Sequence, residues 1–147
     1  MKKIFSLLTI VLFISCAKSD IDRNPYLSEA SFSKSLNLNL PLYYNLTVPG
    51  NAVYIGDDDA GIKGIIVINR GFNNFLAWEA SCPNHAPSDC STMQVTGGVY
   101  CTCNCEGYEY NLYTGNVVSE SDEDGGANYT LLYYQTYFSG NTLTISN

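Results

Sequence analysis

The stretch 82–107 decides how this chain is read: CPNHAPSDC (82–90), STMQVTGGVY (91–100) and CTCNCEG (101–107). Five of the six cysteines, and the single histidine, His85, fall in two short loops of this stretch. Between them, Gly97-Gly98 separates Met93-Gln94-Val95 from Val99-Tyr100-Cys101, a strong signal for a tight hairpin. The stretch therefore reads as two cysteine loops carried on a pair of strands.

Strand signals continue on both sides. Leu36, Leu38, Leu40, Leu42, Tyr44, Leu46 and Val48 alternate with mostly polar residues, which predicts a half-buried strand or two consecutive strands. Pro41 has no amide to give to a sheet ladder, so this stretch belongs at an edge or a break. Pro49-Gly50-Asn51 and Asp57–Gly61 read as turns, and the continuous apolar run Ile65–Ile68 as a strand buried on both faces. Further strands are expected at Phe75–Ala80, Val99–Cys105, Leu131–Phe138 and Leu143–Ile145. The triple aspartate 57–59 lacks the alternating oxygen ligands and distal Glu of a calcium loop, so it reads as a solvated turn. The acidic patch Glu120–Asp124 reads as a loop as well. No segment carries a helical apolar stripe, and the expectation is an all-β domain over residues 36–147.

Composition agrees. The chain has 147 residues, one domain's worth, with 46% hydrophobic residues, 12 tyrosines and one tryptophan. With 14 acidic against 7 basic residues and a net charge of -7, no basic stripe exists to neutralise a phosphate backbone, which excludes nucleic acid as a partner.

The first residues read as an address. Lys2 and Lys3 precede the apolar run Ile4–Ile14, which falls short of the about 20 residues needed to span a bilayer as a helix. Residues 1–15 are therefore expected to be a signal peptide. Ser15-Cys16 resembles the lipobox of bacterial lipoproteins, which implies that Cys16 is acylated and becomes the mature N-terminus. Residues 16–35, polar and without a sustained period, are expected to be a lipid-attached tether. An acidic mature chain has no charge-based attraction to anionic lipid, so acyl chains would hold it at the membrane.

The order of the cysteine loops, the aromatic pair Tyr108 and Tyr110, the Thr114-Gly115 turn and the closing Gly140–Ile145 segment together resemble a Rieske domain. In that family C-x-H in a first loop and C-P-C-H-G in a second hold a two-iron, two-sulfur centre. The resemblance covers roughly residues 40–147. It implies a small antiparallel β-sandwich or barrel with both cysteine loops at one tip. The segments Cys82-Pro83-Asn84 and Cys90-Ser91-Thr92-Met93 are similar to Rieske-like lipoproteins of the Bacteroidetes type.

Laid on the family motif, Cys82 and Cys103 stand at the thiolate positions, whereas Asn84 and Glu106 stand where both imidazoles belong. A Rieske centre needs two neutral imidazoles on one iron, and this chain has one histidine. The resemblance also implies a Cys90–Cys105 disulfide, and without iron Cys82 and Cys103 are expected to oxidise in their turn, leaving Cys101 unpaired. His85, one residue past the family position, is expected to be an exposed loop residue. An alternative stays open: a loop shift turns His85 inward, with Cys101, Cys105 or Glu106 as a further donor, to make a mixed sulfur and nitrogen site for iron or zinc.

The expected function is that of a lipid-anchored cell-envelope accessory or binding module, without metal or cofactor, whose unidentified ligand or protein partner meets the loop surface. No G-x-S-x-G elbow, phosphate loop or other catalytic arrangement is present, and an enzyme is not expected. A thiol nucleophile at Cys82 beside His85 is the weaker interpretation of those two residues, a structural sulfur the stronger one. The alternative function is electron transfer in the envelope, through a 2Fe–2S cluster on a rearranged ligand set. The leader lacks an arginine pair, and a chain exported unfolded carries no preassembled cluster.

Overall fold

The computed structural model describes residues 24–28, 31–119 and 129–147. The leader 1–15, Cys16, part of the tether and the patch Glu120–Asp124 lie outside the described residues. What is described is an all-β domain of two antiparallel sheets, as the alternating sequence predicts.

The larger sheet is built around β3 (Ile65–Gly71), which pairs with β2 (Ala52–Ile55) on one side and β4 (Asn74–Glu79) on the other. It continues through β9 (Tyr133–Ser139) and β10 (Thr142–Ser146) to β1 (Ser33–Asn37), in the order β1-β10-β9-β4-β3-β2. The smaller sheet has the order β5-β6-β7-β8, from Gln94–Thr96, Tyr100–Thr102, Glu109–Asn111 and Val117–Ser119.

Successive side chains of a strand point to opposite faces, so the unbroken apolar run of β3 serves two cores. Ile65 and Val67 join Leu36, Leu46, Phe75, Ala77, Tyr134 and Ile145 on one face. Ile66 and Ile68 join Trp78, Met93, Tyr110, Leu112 and the sulfurs of Cys82, Cys101 and Cys103 on the other. The smaller sheet covers this second face. Each fully buried side chain of this size stabilises the fold by about 1.5–3 kcal/mol. Trp78 pins the two sheets with a hydrogen bond from Nε1 to the Leu112 carbonyl at 2.9 Å. Its ring lies where a Cβ on Gly115 would come within 2.8 Å, and Gly115 has φ +74°, so both packing and backbone require glycine there.

The period-two run 36–48 behaves differently from its expectation. The strand ends at Asn37, and Pro41–Thr47 form a 3₁₀ helix with Pro41 at its start. Proline costs nothing in a first helical turn, whose amides lack partners anyway. Residues three apart eclipse in such a helix, so Tyr43 and Leu46 are buried while Leu40, Leu42, Tyr44 and Val48 face solvent. Ordered contacts with the β domain also begin before residue 36. β1 starts at Ser33, Leu27 is buried, and Asn24 Nδ2 bonds the Pro83 carbonyl at 2.7 Å. The Gly97-Gly98 hairpin joins β5 and β6 as predicted, with φ +56° and +79°. The short strands β2, β7 and β8 carry no run long enough to have been marked as strands in the sequence.

Candidate metal centre

The two cysteine loops meet at one end of the second core. The first is closed at its base by a Ser81–Thr92 bridge, by the Cys82 amide on the Ser91 carbonyl (2.9 Å) and by the Met93 amide on the Ala80 carbonyl (2.8 Å). The second begins where β6 ends at Thr102. The Cys103 amide bonds the Tyr108 carbonyl (2.8 Å), and the Gly107 amide bonds the Cys103 carbonyl (2.9 Å), so residues 103–107 form one tight turn. Cys90 and Cys105 join the loops through a disulfide with Cα atoms 5.3 Å apart, the pairing implied by the Rieske resemblance. A bridge closing a loop of about 15 residues stabilises by about 3 kcal/mol in the chain-entropy account.

Behind this clamp the donor atoms of Cys82, His85, Cys103 and Glu106 all lie within 4.8 Å of one another. His85 Nε2 is 3.4 Å from Cys103 Sγ and 3.2 Å from Glu106 Oε2. Cys103 Sγ is 3.4 Å, and Cys82 Sγ 3.8 Å, from that same carboxylate oxygen. His85 is thus not the exposed loop residue expected. Its side chain is 18% exposed and points inward, because Nδ1 is held by the Ala86 carbonyl at 2.9 Å, with Ser91 Oγ at 3.4 Å. A carbonyl only accepts, so Nδ1 carries the proton of the neutral ring and the Nε2 lone pair faces the sulfurs.

Cys82 and Cys103 are both buried thiols, not the second disulfide expected. With His85 and Glu106 inserted beside them, each sulfur has polar neighbours that take the place of a bond. The Cys82 thiol donates toward Cys103, which raises Cys82 above the ordinary thiol range, and burial adds to the rise. The same bond holds Cys103 down to about 4; burial opposes this, and the Glu106 and Cys105 amides and His85 support it. Burial pulls the His85 pKa down, yet the hydrogen bond to Cys103, the Ala86 carbonyl and the Glu106 charge leave it raised overall. Burial, then the Cys103 bond, raises Glu106. Of the four groups Cys103 alone is pushed toward its ionised form, while Cys82, His85 and Glu106 all hold their protons more tightly than usual.

Other residues singled out in the sequence have different places. Asn84 is turned away from the four donors: Nδ2 bonds Tyr110 Oη at 2.5 Å and Oδ1 accepts from the Tyr129 amide at 2.7 Å. Cys101 is an unpaired thiol, as expected, but it sits in the core with Sγ 3.8 Å from Met93 Sδ, and burial pushes it up to about 12. Because β6 stops at Thr102, Cys101, Cys103 and Cys105 do not share a strand face, and Cys105 goes to the disulfide. The imidazole contact in the site is with Cys103, so no Cys82–His85 nucleophile pair forms. Asp89 and Asn104 are exposed loop residues. Two supporting residues escaped sequence reasoning: Ser91, which helps to hold His85, and Tyr110, whose hydroxyl lies 3.8 Å from Cys82 Sγ. The alternation of Tyr108 and Tyr110 just after the second loop was the available signal for the latter.

These residues do not fit a Rieske two-iron group. The chain's one histidine supplies only one of the two imidazoles. In such a group the thiolates and imidazoles sit on different irons, at opposite ends of the cluster, yet here His85 Nε2 and Cys103 Sγ touch at 3.4 Å.

No protein-family model and no curated protein sequence matches this chain. Solved structures do. One is the plasma membrane Rieske protein PetC3 from Synechocystis PCC 6803, at 22% identity and TM-score 0.47, covering 65% of this chain and 85% of that one. Another is a chain from the complex of reduced oxygenase and oxidised ferredoxin in carbazole 1,9a-dioxygenase, at 19% identity and TM-score 0.45, covering 67% and 82%. A third is the quaternary ammonium Rieske monooxygenase CntA, at 13% identity and TM-score 0.49, where 80% of this chain matches 31% of that one. The likeness concerns the fold alone: this chain is all-β, and its structural neighbours are Rieske-domain proteins.

Proposed function

We propose that this chain is a lipid-anchored protein of the cell envelope, periplasmic or on the surface side of the outer membrane, whose Rieske-like domain serves as a non-catalytic accessory module and not as an electron carrier. The single observation carrying this proposal is the composition of the tip: one imidazole with a carboxylate and two thiols, at mutual distances within 4.8 Å. The leader at 1–15, the lipobox-like Ser15-Cys16 and the Cys90–Cys105 bridge, of a kind that persists in oxidising compartments, support the location. Partners would meet the exposed loop tips around Asp89 and Asn104, carried on a braced scaffold.

The test is iron and acid-labile sulfide analysis of full-length protein produced in a bacterial envelope, together with fatty-acid labelling of the wild type and Cys16→Ala. The proposal expects a colourless protein without sulfide, acylated only when Cys16 is present. Two irons and two sulfides per chain would refute it. That result would instead support an envelope electron carrier with a rearranged ligand set, a second interpretation favoured by the inward turn of His85.

A further inference from the structure

We infer that the tip is a mononuclear tetrahedral site for a zinc-class divalent cation, with Cys82 Sγ, His85 Nε2, Cys103 Sγ and Glu106 Oε2 as its ligands. The inference rests on the preceding proposal only in that a two-iron cluster must not already occupy these donors. Each loop supplies one pair at the same spacing: Cys82 with His85, and Cys103 with Glu106. Ligands a few residues apart on short turns, two turns facing each other, are how structural zinc sites are assembled.

The distances select one ion over two. With Zn–S near 2.3 Å and Zn–N or Zn–O near 2.0–2.2 Å, donors at the corners of a tetrahedron lie roughly 3.3–3.8 Å apart. Four of the contacts here are 3.2, 3.4, 3.4 and 3.8 Å, and the remaining pairs are within 4.8 Å. Small rotations of side chains already in place would complete the shell. Two irons with bridging sulfides would instead force the sulfur pair and the nitrogen–oxygen pair apart.

The surroundings suit a metal. The Ala86 carbonyl on Nδ1 fixes the tautomer that leaves Nε2 free, an arrangement usual for ligating histidines. The backbone N–H groups of Cys105 and Glu106 lie beside Cys103 Sγ, and the backbone N–H of Asn84 beside Cys82 Sγ, offsetting the charge that two thiolates would bring. Two sulfurs, one imidazole and one carboxylate match zinc better than a hard cation such as magnesium or calcium. Glu106, 35% exposed at its side chain, forms the outer wall through which an ion would enter. The disulfide at Cys105, next to Glu106, holds both turns together before the ion arrives.

The experiment titrates the full-length protein, purified without reductant and shown by thiol labelling and peptide mapping to hold Cys82, Cys101 and Cys103 reduced, with Zn²⁺ alone and then with Co²⁺ alone as a coloured probe. The expected result is one ion per chain, cobalt bands of tetrahedral intensity with thiolate charge transfer, and displacement of cobalt by zinc. Cys82→Ser and Cys103→Ser should each lower affinity by about 100-fold or more, since even partners outside the ligand shell are worth about 10–100-fold. Cys101→Ser should leave affinity unchanged. Glu106→Gln changes an exposed side chain that the fold does not need; it should lower affinity even where a cysteine variant fails to fold. Absence of stoichiometric binding to protein with Cys82 and Cys103 reduced, or binding that survives the cysteine and Glu106 changes, overturns the inference and leaves the accessory-module proposal standing. Two irons with two sulfides overturns both.

Discussion

His85 Nε2 lies 3.2 Å from Glu106 Oε2, so the loop opened by Cys82 and the loop opened by Cys103 meet through a nitrogen and a carboxylate as well as through sulfur. Each loop thus brings one soft and one harder donor to the same point. The contact exists because the Cys90–Cys105 bridge and the closures at Ser81–Thr92 and Cys103–Tyr108 leave neither loop free to swing away.

Removing that clamp should therefore loosen the tip without dissolving the sheets. Replacing Cys90 and Cys105 together by Ala is expected to cost about 3 kcal/mol in a denaturant titration, while the far-ultraviolet circular dichroism of the β scaffold is retained. An unchanged midpoint would mean that the bridge does not hold the loops in solution.

Asn84 acts as a brace between Tyr110 and the Tyr129 backbone. Asn84→Ala deletes both bonds and leaves the buried Tyr110 hydroxyl with only its long contact to Cys82 Sγ, at a cost of about 1–3 kcal/mol. The measurement is the urea midpoint. If Asn84→Ala instead abolished metal binding at unchanged stability, Asn84 would be a ligand and its placement here would be mistaken.

Glu79 is buried at the end of β4, with its carboxylate accepting from the amides of Ile62 (2.6 Å), Lys63 (2.9 Å) and Ser81 (2.8 Å) and from Tyr134 Oη (2.5 Å). It ties the 57–64 loop to the root of the first cysteine loop. In Glu79→Gln the carboxamide NH₂ faces donors where an oxygen accepted. A loss of about 3 kcal/mol is expected in denaturant unfolding. Wild-type stability in this variant would contradict the network.

Cys101 gives a check on the core itself. Fully buried, with its pKa pushed up to about 12, it should resist alkylation at pH 8 in the native state and react only on unfolding, because the thiolate is the reactive form. Peptide mapping after labelling decides this. Rapid native modification of Cys101 would place it outside the core described here.

Much of the scaffold was legible in the chain. Ile65–Ile68 declared a strand buried on both faces, and Gly97-Gly98 declared a hairpin, because each signal is local: an unbroken apolar run and a backbone conformation that glycine adopts freely. The stretch 36–48 misled because its leucines satisfy period two, whereas Pro41 starts a 3₁₀ helix whose three-residue period buries Tyr43 and Leu46 instead. At the tip, the Rieske resemblance implied the Cys90–Cys105 pairing, which the structure bears out. The direction of His85 was not legible, since it is set by the Ala86 carbonyl, by Ser91 across the loop and by Cys103 from the second loop. Nor did the sequence separate a second disulfide from two neighbouring thiols, a difference that depends on what else fits between the sulfurs.

The most direct test of a single-ion tip is X-ray absorption at the metal edge of the zinc-loaded full-length protein. This account expects one zinc with two sulfur neighbours near about 2.3 Å, two nitrogen or oxygen neighbours near about 2.0–2.2 Å, and no second metal in the next shell. An iron edge carrying a short iron–iron vector with bridging sulfide in the protein as isolated would contradict it.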